Sequence, residues 1–181
     1  MISESQYWKD DLAKHVVFIH DKLYQKVWRE ASFASLEKRI MLSCYISRKL
    51  FESNKITNEM FYESVKLYRY PNRGKVVDLL NSHRIDELYE IGNAKEITKP
   101  FSYVANQIIH SYIFQYAFKT KNRIEGIVFN SDRSKQKEIY LLSIKELLRV
   151  LSPIAQCYVS RTIMQRNEKG EMVVVHSEEN H

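Results

Sequence analysis

The sequence predicts an α+β protein, with a helical N-terminal half packed with a small antiparallel β-sheet of hairpins in the C-terminal half. Three observations predict it. Apolar stripes of helical period run through residues 4–53, short β-forming segments divided by turn signals fill residues 119–176, and the longest apolar run, Pro100 to Phe118, joins the two. Hydrophobic residues make up 44% of the 181 while Gly and Pro total seven, so the chain can bury a core and holds few breakers. One domain over 1–181 accommodates this, with a helical part over about 1–118, a β-rich part over about 119–176 and a frayed tail at 177–181.

Trp8, Leu12, Ile19, Leu23 and Val27 share one stripe, which predicts a helix over about 4–27 with Ser3 and Gln6 as a capping box. His15 lies on that stripe and reads as a satisfied core histidine. Arg29 to Phe33 breaks the period, and Ser35 then caps a second helix running to about Ser53. Its stripe of Leu36, Ile40, Ser43, Ser47 and Leu50 includes two serines small enough for another helix to approach closely. Val65, Leu67 and Arg69 alternate with Lys66, Tyr68 and Tyr70 ahead of a Pro71-Asn-Arg-Gly74 turn, so strand and helix compete there. Lys75 to Leu80 reads as a short helix and His83 to Ile91 as an irregular one.

Thr98 as N-cap and Pro100 in the first turn predict a helix from about 99 to 115. Phe101, Ala105, Ile108 and Tyr112 form its core stripe, and Tyr103, Asn106, His110 and Phe114 form the opposite face. A helix apolar on nearly every side is expected to be buried on nearly every side, with Asn106 and His110 inside. Beyond it, Arg123–Asn130 and Glu138–Ser143 read as a hairpin about the polar loop 131–137. Ser143 caps a helix bearing Ile144, Leu147, Leu148 and Leu151, disturbed at Pro153. Cys157–Met164 and Glu171–Val175 read as strands around the turn Asn167–Gly170, with fraying from His176.

The chain carries no Walker loop, dinucleotide fingerprint, HExxH, CxxC or G-x-S-x-G. The six histidines, at 15, 20, 83, 110, 176 and 181, offer no i,i+4 pair, so neither metal nor cofactor is expected. Cys44 and Cys157 form no framework and suit a reducing cytosol, and no run approaches the roughly 18 apolar residues of a membrane span. The expectation is a cytoplasmic protein without a membrane partner.

A formal net charge of +6 and a pI near 9.2 favour an acidic partner, nucleic acid first or else a protein complex that handles it. The basic residues gather in two places, Lys119, Lys121 and Arg123 in one and Arg133, Lys135 and Lys137 in the other. These six are the candidate nucleic-acid contacts. Twelve tyrosines and eight phenylalanines offer stacking or interface surface, which also points to a homo-oligomer.

The candidate catalytic residues are His110, Asn106 and Arg48, each a polar group set among apolar neighbours. Arg48 has Glu52 one turn on as an ion-pair partner, and in a cleft it would serve to stabilise a phosphorane. His110 is of the residue type that acts as acid or base near neutrality. Asn106-Gln-Ile-Ile-His110 invites comparison with the helical HEPN ribonuclease domains, whose signature is an Arg, a polar residue and then a His on one helix. Positions 103 to 105 are Tyr-Val-Ala, so the Arg is missing and membership is not inferred. Two functions follow as expectations. The first is a non-enzymatic binding or accessory domain of bacterial or phage type associated with nucleic acid, and the alternative is a metal-independent nuclease using His110 and Arg48.

Overall fold

A computed structural model describes residues 2–179. Helix α1 spans Ser5–Lys22 and α2 spans Glu30–Glu52, followed by a single turn, α3, at Asn58–Phe61. Strand β1 is Ser64–Pro71, a one-turn α4 is Ile85–Leu88, and β2 is Lys95–Pro100. Helix α5, Phe101–Ile109, leads into β3 at Ser111–Thr120, β4 at Arg123–Ser131 and β5 at Glu138–Ser143. Helix α6, Ile144–Gln156, precedes β6 at Val159–Arg166 and β7 at Met172–Glu179.

Five strands form one antiparallel sheet in the order β2-β1-β5-β4-β3, and β6 and β7 pair separately. The predicted α+β class and the β4–β5 hairpin are both present. Helices α5 and α6 lie on one face of the sheet, and α1 and α2 pack on those two helices. On α2, Ser43 and Ser47 are fully buried, as small residues at a close helix contact should be. Half-buried His15 faces Ser43 across that contact, and burial, with Arg39 nearby, holds its pKa below the usual value.

The topology explains why the central run is so apolar. Strands β2 and β3 are the two edges of the sheet, so α5 must carry the chain from one edge to the other across the face. Five strands at about 4.8 Å span roughly 19 Å, and nine helical residues rise about 13 Å, so α5 crosses directly above the sheet and beneath α2. Phe101, Val104, Ala105 and Ile108 are fully buried as a result. The run ends as helix at Ile109, not near 115, because Ser111 onward pairs with β4. Tyr112, Phe114 and Tyr116 therefore belong to a strand and not to faces of a helix. Thr98 sits in β2, so Pro100 takes the N-cap position expected of it.

Other differences have local causes. The Ser3–Gln6 box does not form, since the N-cap falls at Glu4 and Gln6 bonds Asp10 instead. Helix α2 begins at Glu30 and not Ser35. The residues that broke its period serve another contact, in which Phe33 stacks on Trp28 and meets Tyr116 and Phe118 on β3. Residues 75–80 form no helix, and the chain turns only from residue 79, after Gly74 adopts φ +75° and where the Asp78 carboxylate accepts from the Leu80 and Asn81 amides. Pro153 lies inside α6 without ending it, in the last turn, where the burial of Val150, Leu151 and Ile154 holds the helix. Residues 176–179, expected to fray, pair with β6, while 180 and 181 lie outside the described residues.

Strand β2 was not foreseen. Its sequence KEITKP has one aliphatic residue, Ile97, because an edge strand half open to solvent needs only one inward side chain. The far face of the sheet is covered at one end by Val77, Leu88 and Tyr89, which pack on Ile113 and Ile139.

Candidate functional site

Residues Tyr103, Asn106, Gln107 and His110 recur at helical spacing along the edge of α5 that faces away from its core stripe. Arg48 reaches the same place from α2, and Ser131, Asp132 and Arg133 arrive from the end of β4. Together they line an open cleft of about 590 Å³. His110 and Asn106 are exposed there, which corrects the expectation of a buried His110. The apolar neighbours that prompted it divide between structures, since Phe114 packs into the core from β3 while His110 closes α5 as its C-cap.

Arg48 makes both of the contacts its position allows. Its Nε donates to Glu52 Oε1 at 2.7 Å and its Nη1 to Asn106 Oδ1 at 3.1 Å. This holds the Asn106 amide by its oxygen, which leaves the NH₂ group on the side away from Arg48. Glu52 also accepts from Lys49, and the two cations, Lys49 foremost, hold its carboxyl below the usual range. Arg133 is exposed and makes no ion pair among the described residues. Asp132 is neutralised at 2.7 Å by Lys135, whose ammonium also lies 3.5 Å from the Tyr112 ring centroid. The hydrogen bond with Asp132 pushes the Lys135 pKa up. Glu52 is shared by Arg48 and Lys49 and Asp132 is paired with Lys135, so the cleft and its immediate partners carry a net positive charge of two, with Arg133 in no ion pair among the described residues.

Gln107 escaped the sequence reading. Its Oε1 accepts from the Ser131 amide at 3.0 Å and from Ser134 Oγ at 2.9 Å, so it clamps the loop bearing Arg133 to α5. Only its place in the stripe beside Asn106 could have signalled this. Gln107→Met should cost about 1 kcal/mol, at the lower end of the range for a lost acceptor, because Ser131 N–H retains Ser134 Oγ at 3.0 Å. Urea unfolding measures the loss, and a gain in stability would contradict the clamp. Tyr103, also on the cleft wall, donates to buried Tyr140 at 2.6 Å; Tyr140 in turn donates to Glu138, which meets Arg69 at 3.4 Å. Burial and those two partners drive the Tyr140 phenol far above its ordinary pKa.

The six basic candidates are not gathered together. Lys119, Lys121 and Arg123 are exposed about the β3–β4 turn, held by Trp28 Nε1 donating to Asn122 O at 3.0 Å. The cluster at 133, 135 and 137 lies at the other end of β4, about 27 Å away for the eight steps between its nine residues at about 3.4 Å each. Of that cluster Arg133 lines the cleft, Lys137 is exposed, and Lys135 is turned inward against Tyr112 and Asp132.

Among the described residues no three His, Cys, Asp or Glu side chains converge as a metal site requires, and no helix is long and apolar enough to cross a membrane. No protein-family model, curated protein or solved structure matches the chain.

Proposed function

We propose that the protein binds single-stranded nucleic acid, with a backbone phosphate seated between Arg48 and Arg133. The observation that carries this is the convergence of Arg48, Asn106, His110 and Arg133, from three separated stretches of chain, on one open cleft. A volume of about 590 Å³ lies within the range of roughly 300–1,000 Å³ usual for small-molecule sites and so accommodates a nucleotide unit. Guanidinium forks suit phosphate oxygens, the Asn106 NH₂ adds a neutral donor, and Tyr103 offers a ring face for a base. The unbalanced Arg133 supplies the local attraction, and the overall charge of +6 supplies the long-range one.

The exposed imidazole of His110 favours a second step on the same ligand, cleavage of RNA. The ribose 2′-oxygen would attack phosphorus as His110 takes its proton. The bond from phosphorus to the 5′-oxygen breaks, water protonates that oxygen, and Arg48 with Arg133 stabilises the pentacovalent oxyanions. The products are a 2′,3′-cyclic phosphate and a 5′-hydroxyl.

Labelled oligonucleotides in EDTA test both steps. A tetramer should bind through the cleft alone, with affinity falling as salt rises and a slope of about −0.7 per phosphate contacted. Arg133→Gln should flatten that slope by about one contact. Neutralising Lys119, Lys121 and Arg123 together should weaken a dodecamer that spans both ends of β4 and leave the tetramer unchanged. No tetramer binding at low salt rejects the cleft reading.

A further inference from the structure

We propose that the β6–β7 hairpin is a dimerisation arm whose Met164, Met172 and Val174 face docks in the groove between α1 and α2 of a second copy of this chain. The hairpin is rooted at Cys157, which is buried and whose carbonyl accepts from Lys9 of α1. Beyond that root, where Val159 still packs on the core, each strand makes its main contacts with the other among the described residues, and neither joins the main sheet. A two-stranded ribbon is marginal by itself in water. This one also leaves large apolar side chains open, with Met164 at 52% exposure and Met172 at 54%. The register puts these two on one side with Val174, since Met164 pairs with Val174 and Arg166 with Met172, while the extra residue at the irregularity, Val175, lies on β7.

The same chain carries a surface of matching character. Tyr7, Trp8, Leu42, Tyr45 and Ile46, with Asp11 and His15, line a largely apolar groove of about 370 Å³ along α1 and α2, and its Tyr7 is 74% exposed. Thioethers against aromatic rings form a favourable contact, and methionine adapts to an irregular groove. Tyr7 and Trp8 immediately precede Lys9, the residue that holds the root of the arm. A two-fold axis passing beside α1 would exchange the arms so that each lies on the partner's groove, giving a closed, isologous pair. A hairpin of two eight-residue strands is about 24 Å long and roughly 10 Å wide. Two arms on two grooves would then bury about 1,000 Å² in total, which is the size of a weak, concentration-dependent pair below the stable interfaces at about 1,200 Å².

Sedimentation velocity of the full chain tests the arm, independently of any nucleic acid. The wild type should sediment at twice 21.6 kDa. Met164→Glu with Met172→Glu in the arm, and Leu42→Glu with Tyr45→Glu in the groove, all alter exposed positions, so each double variant should melt as the wild type does and sediment as a monomer. Mixing the two double variants should restore a weaker dimer, because one intact arm then meets one intact groove. A wild type monomeric up to about 100 µM, in the affinity range where even weak specific pairs associate, would overturn the proposal. So would a groove variant that remains fully dimeric, or a mixture that stays monomeric.

Discussion

His110→Ala is expected to abolish RNA cleavage in EDTA, by about 10²–10⁴-fold for a lost acid–base group, while leaving stability within about 0.5 kcal/mol. The second half of that expectation rests on burial. The imidazole is exposed at the end of α5, its backbone N–H supplies the hydrogen bond to Asn106 O, and that bond survives the substitution. For a chain of this size 0.5 kcal/mol corresponds to a melting-temperature change of about 1–2 °C. A larger fall would show that the ring carries packing after all. Undiminished cleavage by the variant would remove His110 from the chemistry and leave the binding proposal standing, because binding is carried by Arg48 and Arg133. Arg48→Ala gives the complementary result, with both binding and cleavage reduced and Asn106 released from its partner.

Gly126→Ala is expected to destabilise the fold by about 3 kcal/mol, the upper end of the range for overpacking. Gly126 lies in β4 between β3 and β5, opposite Ala117 on one side and Ser143 on the other. A Cβ there would sit 2.4 Å from the Leu142 carbonyl oxygen and 3.0 Å from Leu141 Cδ1. The first obstacle is backbone, so relief requires β4 and β5 to separate, and that pairing holds the middle of the sheet. Urea denaturation should show a lower midpoint, and heating should show a melting temperature about 6–12 °C below wild type. A midpoint equal to wild type would mean that the strands adjust without loss and that glycine is not required there.

The sequence revealed what its periodicities encode and hid what tertiary contacts decide. The stripe of Leu12 and Ile19 and the alternation of Val65 and Leu67 each belong to an element with one buried face, where polar and apolar residues sort by side. The stretch 101–118 passes from helix to strand within one apolar run, where Tyr112, Phe114 and Tyr116 continue the apolar character of α5 without a breaker, so the change at Ser111 left no mark. Strand β2 was invisible for the opposite reason, since its charged residues are those of any solvated segment. At the site, Asn106, His110 and Arg48 stood out as polar groups in apolar company. Gln107 did not, because its value lies in accepting from Ser131 and Ser134, partners more than twenty residues away that no local pattern announces.

The strand order also bears on how fast the fold is reached. Strands β3, β4 and β5 form a meander of close neighbours, and β1 pairs with β2 across a single excursion of chain. The seam between these two units is β1 against β5, where Tyr68 meets Leu141 across about seventy residues of intervening chain that include α5. Loop-closure entropy for that seam must be met before its contacts return anything, which sets the rate of the whole chain below that of either unit. In stopped-flow refolding, substitutions at the seam, such as Leu141→Ala, should therefore slow folding, whereas equally destabilising changes in α1 should chiefly speed unfolding.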